Sequence, residues 1–198
     1  MSATSLRVRP QSIPTSAQRA PALAALELAT IAAGVRVADQ IVKTAPVELY
    51  FAEAVSPGKF IVVFAGGVGE VQAAFVKGQD AAGSALLDSL NLPQCHGDVL
   101  SALEGLAMGS AGDALGVIEL DAVPATLLAA DKAAKTAPIR LRTIRLAVGL
   151  GGKGFVYLDG TVSDVNAAVS AATAVAGAHL VDSCVIPRLA EAVRDRLY

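Results

Sequence analysis

Apolar and polar positions along this chain change period several times, and each change marks a predicted element. Ala22–Leu28 and Ala114–Leu120 are short apolar runs that read as strands. Ile31–Lys43 and Pro124–Lys135 follow with helical spacing, and Pro124 suits a first helical position, where its missing N–H has no partner to lose. Val47, Leu49 and Phe51 then alternate with Glu48 and Tyr50, as Ile139 and Leu141 alternate with Arg140 and Arg142, the two-residue period of a strand with distinct faces. After a Gly-containing turn come strands over Lys59–Ala65 and Phe155–Leu158. Helices are predicted over Val68–Gly78 and Val162–Val175, last strands over Ala85–Leu92 and Leu180–Ile186, and terminal helices over Gly97–Leu106 and Leu189–Leu197.

The same series therefore occurs twice, and direct self-comparison shows a duplication. Glu27 set on Glu119, a shift of 92, carries Val42-Lys43-Thr44-Ala45-Pro46 onto Ala134-Lys135-Thr136-Ala137-Pro138. Two extra residues in the second copy raise the shift to 94. Lys59-Phe60 then meets Lys153 and Gly154-Phe155 with one slip, Gly66 meets Gly160, Val68-Gly69-Glu70-Val71 meets Val162-Ser163-Asp164-Val165, and Gly83 meets Gly177. Matches at Gly and Pro weigh most, because those residues mark fixed backbone conformations. Each copy reads as βαββαβ plus a short C-terminal helix, an α+β chain of two tandem ferredoxin-like domains. The division is an arm over 1–20, a first domain over 21–109 and a second over 110–198, joined at Ser110–Asp113.

Composition narrows the function classes. Of 198 residues 54% are apolar and 17% charged, too apolar for a disordered chain and suggestive of surface buried between subunits. The net charge is −2 with no basic stripe, which argues against nucleic acid. The longest uncharged stretch, Val165–Leu180, is too short and too polar to span a membrane. Residues 1–20 carry Arg7, Arg9 and Arg19 among Ser and Pro, lack the apolar segment of a signal peptide, and read as a flexible arm. Cys95 and Cys184 lack metal-ligand spacing, so a reduced cytoplasmic protein is expected.

No constellation supports catalysis or a metal. Cys95 and His96 are adjacent without a third positioned group, and His179 reads as structural. Gly149-Leu150-Gly151 lacks the rest of a dinucleotide fingerprint. Gly66-Gly67-Val68-Gly69 precedes a helix and reads as helix entry in preference to an anion site.

Three signals recur in both copies: Asp39 to Lys43 with Ala45, matched by Asp131 to Lys135 with Ala137; a Gly-bearing hairpin, Val55-Ser56-Pro57-Gly58-Lys59 and Gly149-Leu150-Gly151-Gly152-Lys153; and a Gly-x-Val-x-x-Val-x-x-Ala segment, Gly66 to Ala74 and Gly160 to Ala168. In this order the chain resembles the shell proteins of bacterial microcompartments, over about Ala20 to Tyr198, and is similar to their non-permuted tandem class. The resemblance implies a homotrimeric, pseudohexameric disc in a cytoplasmic microcompartment, meeting other shell proteins at its edges, with encapsulated enzymes as further partners. It implies a central pore for small polar or anionic metabolites, lined by Ser56, Pro57, Gly58 and Lys59 alternating with Leu150, Gly151, Gly152 and Lys153. Lys59 and Lys153 would add up to six positive charges if turned to the channel. Small residues permit such close approach of backbones.

The resemblance also implies disc-edge roles for Lys43, Lys135 and Arg188, with Gln94 replacing Arg in the first copy and weakening one edge type. Some relatives hold an iron–sulfur cluster on a pore cysteine; neither hairpin here has one, so no cofactor is expected. Glu48 and Glu53 oppose Arg140 and Arg145 in the other copy, a reversal expected to favour contact between unlike domains. The alternative reading is a trimeric ferredoxin-like regulator that binds a small effector between subunits; flat sheets in electron microscopy separate the two.

Overall fold

The computed structural model describes residues 22–106, 109 and 111–197; the arm expected over 1–20 lies outside them. Two four-stranded antiparallel sheets follow one another. The first contains β1 (Ala22–Leu28), β2 (Glu48–Val55), β3 (Lys59–Gly66) and β4 (Leu86–Leu92), in the order β2-β3-β1-β4, with helices α1 (Ile31–Thr44) and α2 (Val68–Ala82) on one face. A short helix, α3 (Gly97–Leu103), leads on. The second sheet repeats the order with β5 (Ala114–Leu120), β6 (Arg140–Leu146), β7 (Gly154–Gly160) and β8 (Leu180–Pro187), helices α4 (Val123–Thr136) and α5 (Val162–Ala176), and a terminal α6 (Glu191–Leu197).

Strand alternation explains both cores. Ala22, Ala24, Leu26 and Leu28 point from β1 toward α1 and α2. Leu23 and Ala25, with Ile61 and Val63 of β3, belong to the opposite face, and there α4 of the second copy packs on them. The first sheet is thus covered by helices on both sides, which is why β1 and β3 are apolar at nearly every position. α3 crosses to the second copy as well, packing on β6 and α4.

Several boundaries differ from the sequence reading for identifiable reasons. α2 continues through Gly78, whose ideal Cβ would lie 3.2 Å from Ile41 Cδ1, so this glycine permits close packing of α1 and α2. The helix stops at Gly83, in the left-handed region at φ +51°. β6 extends to Leu146 because Arg142 sits at a bulge between Leu141 and Thr143 that interrupts the alternation. α6 starts at Glu191 because Arg188, at φ +50°, turns the chain and donates its N–H to Asp113 O at 2.7 Å.

The slip in the self-comparison disappears in the register. Phe60 pairs with Leu28 and Gly154 with Leu120, so Phe60 and Gly154 are equivalent. A Cβ on Gly34 would fall 2.1 Å from Phe60 Cγ, whereas a Cβ on Gly154 would fall 2.3 Å from Thr126 Oγ1. Thr126 occupies the helix position of Gly34. The copies have exchanged which partner is bulky, helix or strand, and kept the gap filled.

Candidate functional site

The two hairpins differ in length and meet in space. The first spans residues 56–58, with Gly58 at φ +105° and its N–H on Val55 O at 2.8 Å. The second spans residues 147–153 and holds Gly149, Gly151 and Gly152 at φ +73°, +63° and +89°, conformations that glycine adopts without Cβ strain. An ideal Cβ on Gly152 would lie 3.2 Å from Ser56 O and 4.0 Å from Lys59 Nζ. The residues expected to line a common site are therefore brought side by side.

The two lysines turn to glutamates. Lys59 Nζ is 2.5 Å from Glu27 Oε1, and Glu27 is only 2% exposed. The second carboxylate oxygen of Glu27 accepts the Val123 N–H at 3.1 Å, so the first copy caps the start of α4, whose own N-cap, Ala122, has no side-chain acceptor. Lys153 Nζ is 2.7 Å from Glu119 Oε1, the equivalent pair, but Glu119 is 37% exposed and its second oxygen has no recorded partner among the described residues. Sequence reasoning used Glu27 and Glu119 only to align the copies; one carboxylate inside an otherwise apolar strand was the available signal.

The helices show the same asymmetry. Val123 and Leu127 of α4 are 0% exposed, whereas Ile31 and Val35, at the same positions of α1, are 48% and 57% exposed. Facing outward on the second sheet is a groove of about 360 Å³ lined by Val117, Glu119, Leu150, Lys153, Phe155 and Tyr157. Its floor is aromatic, with the Phe155 and Tyr157 ring centroids 4.6 Å apart.

Two of the four expected edge residues, Lys135 and Gln94, fall at the junction between copies. Lys135 pairs with Asp131 at 2.6 Å and donates to the Gln94 carbonyl, and Asp131 Oδ1 accepts the His96 N–H at 2.8 Å. Lys43 pairs with Asp39 at 2.7 Å on the exposed side of α1, and the Arg188 side chain is exposed after β8. Cys95, beside this junction, has its thiol pushed up to about 12 by burial and then by Asp131, with Lys135 opposing. Tyr50 is raised by burial first, then by Glu48 and Glu104. Arg140, one of the two arginines of the charge reversal, serves its own sheet together with Arg142: Arg140 Nε and Arg142 Nη2 lie 3.2 Å and 2.7 Å from buried Asp159, which also accepts the Gly112 N–H at 2.9 Å. Arg142 in turn donates to Gly109 O at 2.9 Å, so this cluster ties down the connection between copies. Ala65 stands at the Asp159 position in the first copy.

Among the described residues, no group of three His, Cys, Asp or Glu side chains could hold a metal ion, and no helix is long and apolar enough to cross a membrane.

The BMC domain model matches twice, over residues 22–95 and 114–189. The chain is 41% identical over 169 residues to the bacterial microcompartment shell protein PduT of Citrobacter freundii, covering 84% of this chain and 92% of that protein. It is similar to the crystal structure of a microcompartment protein from Desulfitobacterium hafniense, with 37% identity, TM-score 0.82, and coverage of 88% of this chain and 98% of that one. A more distant likeness, at 25% identity and TM-score 0.58 over 80% of this chain and 82% of that one, is to MSM0275, a fused permuted hexameric shell protein from the RMM microcompartment. Two BMC domains in one chain, with relatives matched along nearly their full length, place this protein in the BMC-domain family as a tandem-domain structural shell protein of bacterial microcompartments.

Proposed function

We propose that three chains close into a pseudohexameric ring in which each junction between chains repeats the junction within a chain. The observation that carries this is the pair of equivalent glutamates. Glu27 is buried and caps α4 of its own chain, while Glu119 has, among the described residues, one acceptor oxygen without a partner beside a groove open on the second sheet. Ile31 is equivalent to Val123, so the groove fits the exposed face of α1 in the next chain, with Glu119 accepting the Ile31 N–H. The first sheet is already covered by α4, so the remaining surfaces are the second sheet and α1, and the copies alternate around the ring. Alternation thus follows from the covalent order of the copies and needs no help from the Glu48 and Arg140 charges.

The same operation carries His96–Asp131 onto Ala190–Asp39 and Gln94–Lys135 onto Arg188–Lys43. In this ring the hairpins meet at the axis and form the pore through which small metabolites cross the shell. The exposed side chains of Gln94 and Arg188 are left at the rim for other shell proteins, beside Lys135 and Lys43, whose ammonium groups are held in the junctions, and encapsulated enzymes meet the faces. The role is structural, as in the relatives, with no catalytic step.

Ile31 and Val35 are 48% and 57% exposed, so covering what remains contributes about 1 kcal/mol per side chain. Val35→Asp should therefore leave the chain folded and prevent ring closure, read as a single-chain mass in sedimentation velocity against a trimer for the parent. Trimers that persist unchanged in this variant would overturn the reading.

A further inference from the structure

We propose that the pore is electrically neutral, and that it selects small uncharged polar molecules over ions of either sign; this rests on the ring reading above. Residues 56–58 and 147–152 contain no ionisable side chain, and the lysine that comes next in each copy is paired with a glutamate, Lys59 with Glu27 and Lys153 with Glu119. Each hairpin thus brings one cation and one anion, and they cancel.

The pore mouth follows the same rule. Glu53 stands opposite Ile61 on β2, and its equivalent Arg145 stands opposite Phe155 on β6. Ile61 and Phe155 are equivalent positions, each on the sheet face turned away from its own copy's two helices, so Glu53 and Arg145 project from the same side of their sheets. Glu53 lies two residues and Arg145 one residue before its strand ends at the hairpin, within about 7 Å along the strand. A ring of three chains surrounds the mouth with three carboxylates alternating with three guanidiniums. A chain of identical copies would instead place six like charges there.

An ion entering a narrow passage loses hydration, and only fixed charge or a dense ring of dipoles offsets that cost. Here the fixed charges sum to zero. An uncharged polar solute loses less hydration and replaces it with the Ser56 hydroxyl and hairpin backbone groups. Leu150 and Val148 add apolar contact, which favours molecules with a short hydrocarbon part.

Crystals of the assembled protein, soaked separately in bromide and rubidium and measured by anomalous scattering, test this. The parent should show neither ion on the threefold axis. Glu53→Gln should gain bromide near Arg145, Arg145→Gln should gain rubidium near Glu53, and the double variant should lose both. Bromide or rubidium on the axis of the parent, or single variants that gain neither ion, would overturn the proposal. Crystals in which the hairpins surround no threefold axis would instead overturn the ring reading.

Discussion

Replacing Glu27 by Ala and, separately, Glu119 by Ala tests whether two equivalent carboxylates do the same work in different places. Within one chain, Glu27→Ala removes the acceptor for the Val123 N–H, a capping loss of about 1 kcal/mol. It also strands the Lys59 ammonium, which is mostly covered; breaking a fully buried pair costs about 3–5 kcal/mol, and partial access to water lowers this to about 2. The sum is about 3 kcal/mol, equivalent to a fall in Tm of about 6–12 °C for a chain of this size. Glu27→Gln keeps an acceptor oxygen and should recover about 1 kcal/mol. Glu119→Ala removes a solvated pair and should cost a dilute, dissociated chain under about 1 kcal/mol. Urea denaturation across a range of protein concentrations separates the two. The Glu27→Ala deficit should persist at every concentration, whereas the Glu119→Ala deficit should grow as the parent assembles and the variant fails to. Equal losses in the dilute chain, or a Glu27→Ala loss near zero, would refute the assignment of Glu27 to an internal junction and Glu119 to an external one.

Three further outcomes follow from packing and charge. Gly34→Ala should destabilise the chain by about 1–3 kcal/mol in thermal melts, since its Cβ meets the Phe60 ring, and adding Phe60→Leu should return part of the loss. With its thiol held near 12, Cys95 is about one part in ten thousand thiolate at pH 8 and should resist a thiol reagent. Its reactivity should rise only as pH climbs toward that value; Cys184, exposed on the outward face of β8, should react in dissociated chains and be protected in rings. Asp159→Asn should cost about 3–5 kcal/mol by breaking the buried pair with Arg142, and should speed proteolysis of the connection around Gly109 and Gly112.

The order of strands and helices is legible in the sequence because each element has its own period and each turn its own Gly or Pro. Duplication made the reading firmer, since every boundary could be seen twice. Gly78 was misleading as a helix end: a glycine that lets two helices touch has the same letter as one that ends a helix. The slip near Phe60 had a similar origin, because compensation between Gly34–Phe60 and Thr126–Gly154 pairs residues that are distant in sequence. The site residues in the hairpins were visible as glycines, yet the direction of Lys59 was not. Glu27 lies 32 positions away in the chain, and only sheet pairing brings it close. Least visible was the contrast between α1 and α4. Both are amphipathic helices of the same length, and nothing in either one states that one is covered by its own chain while the other leaves Ile31 and Val35 exposed.

The most direct test of the ring is a cryo-EM reconstruction of the assembled protein at a resolution that shows side chains. The account predicts three chains around one axis, both hairpins at that axis, and Glu119 within about 3 Å of the backbone nitrogen of Ile31 of the partner subunit. A ring that leaves Glu119 and the Phe155–Tyr157 groove facing solvent, or an assembly with another number of chains, would contradict it.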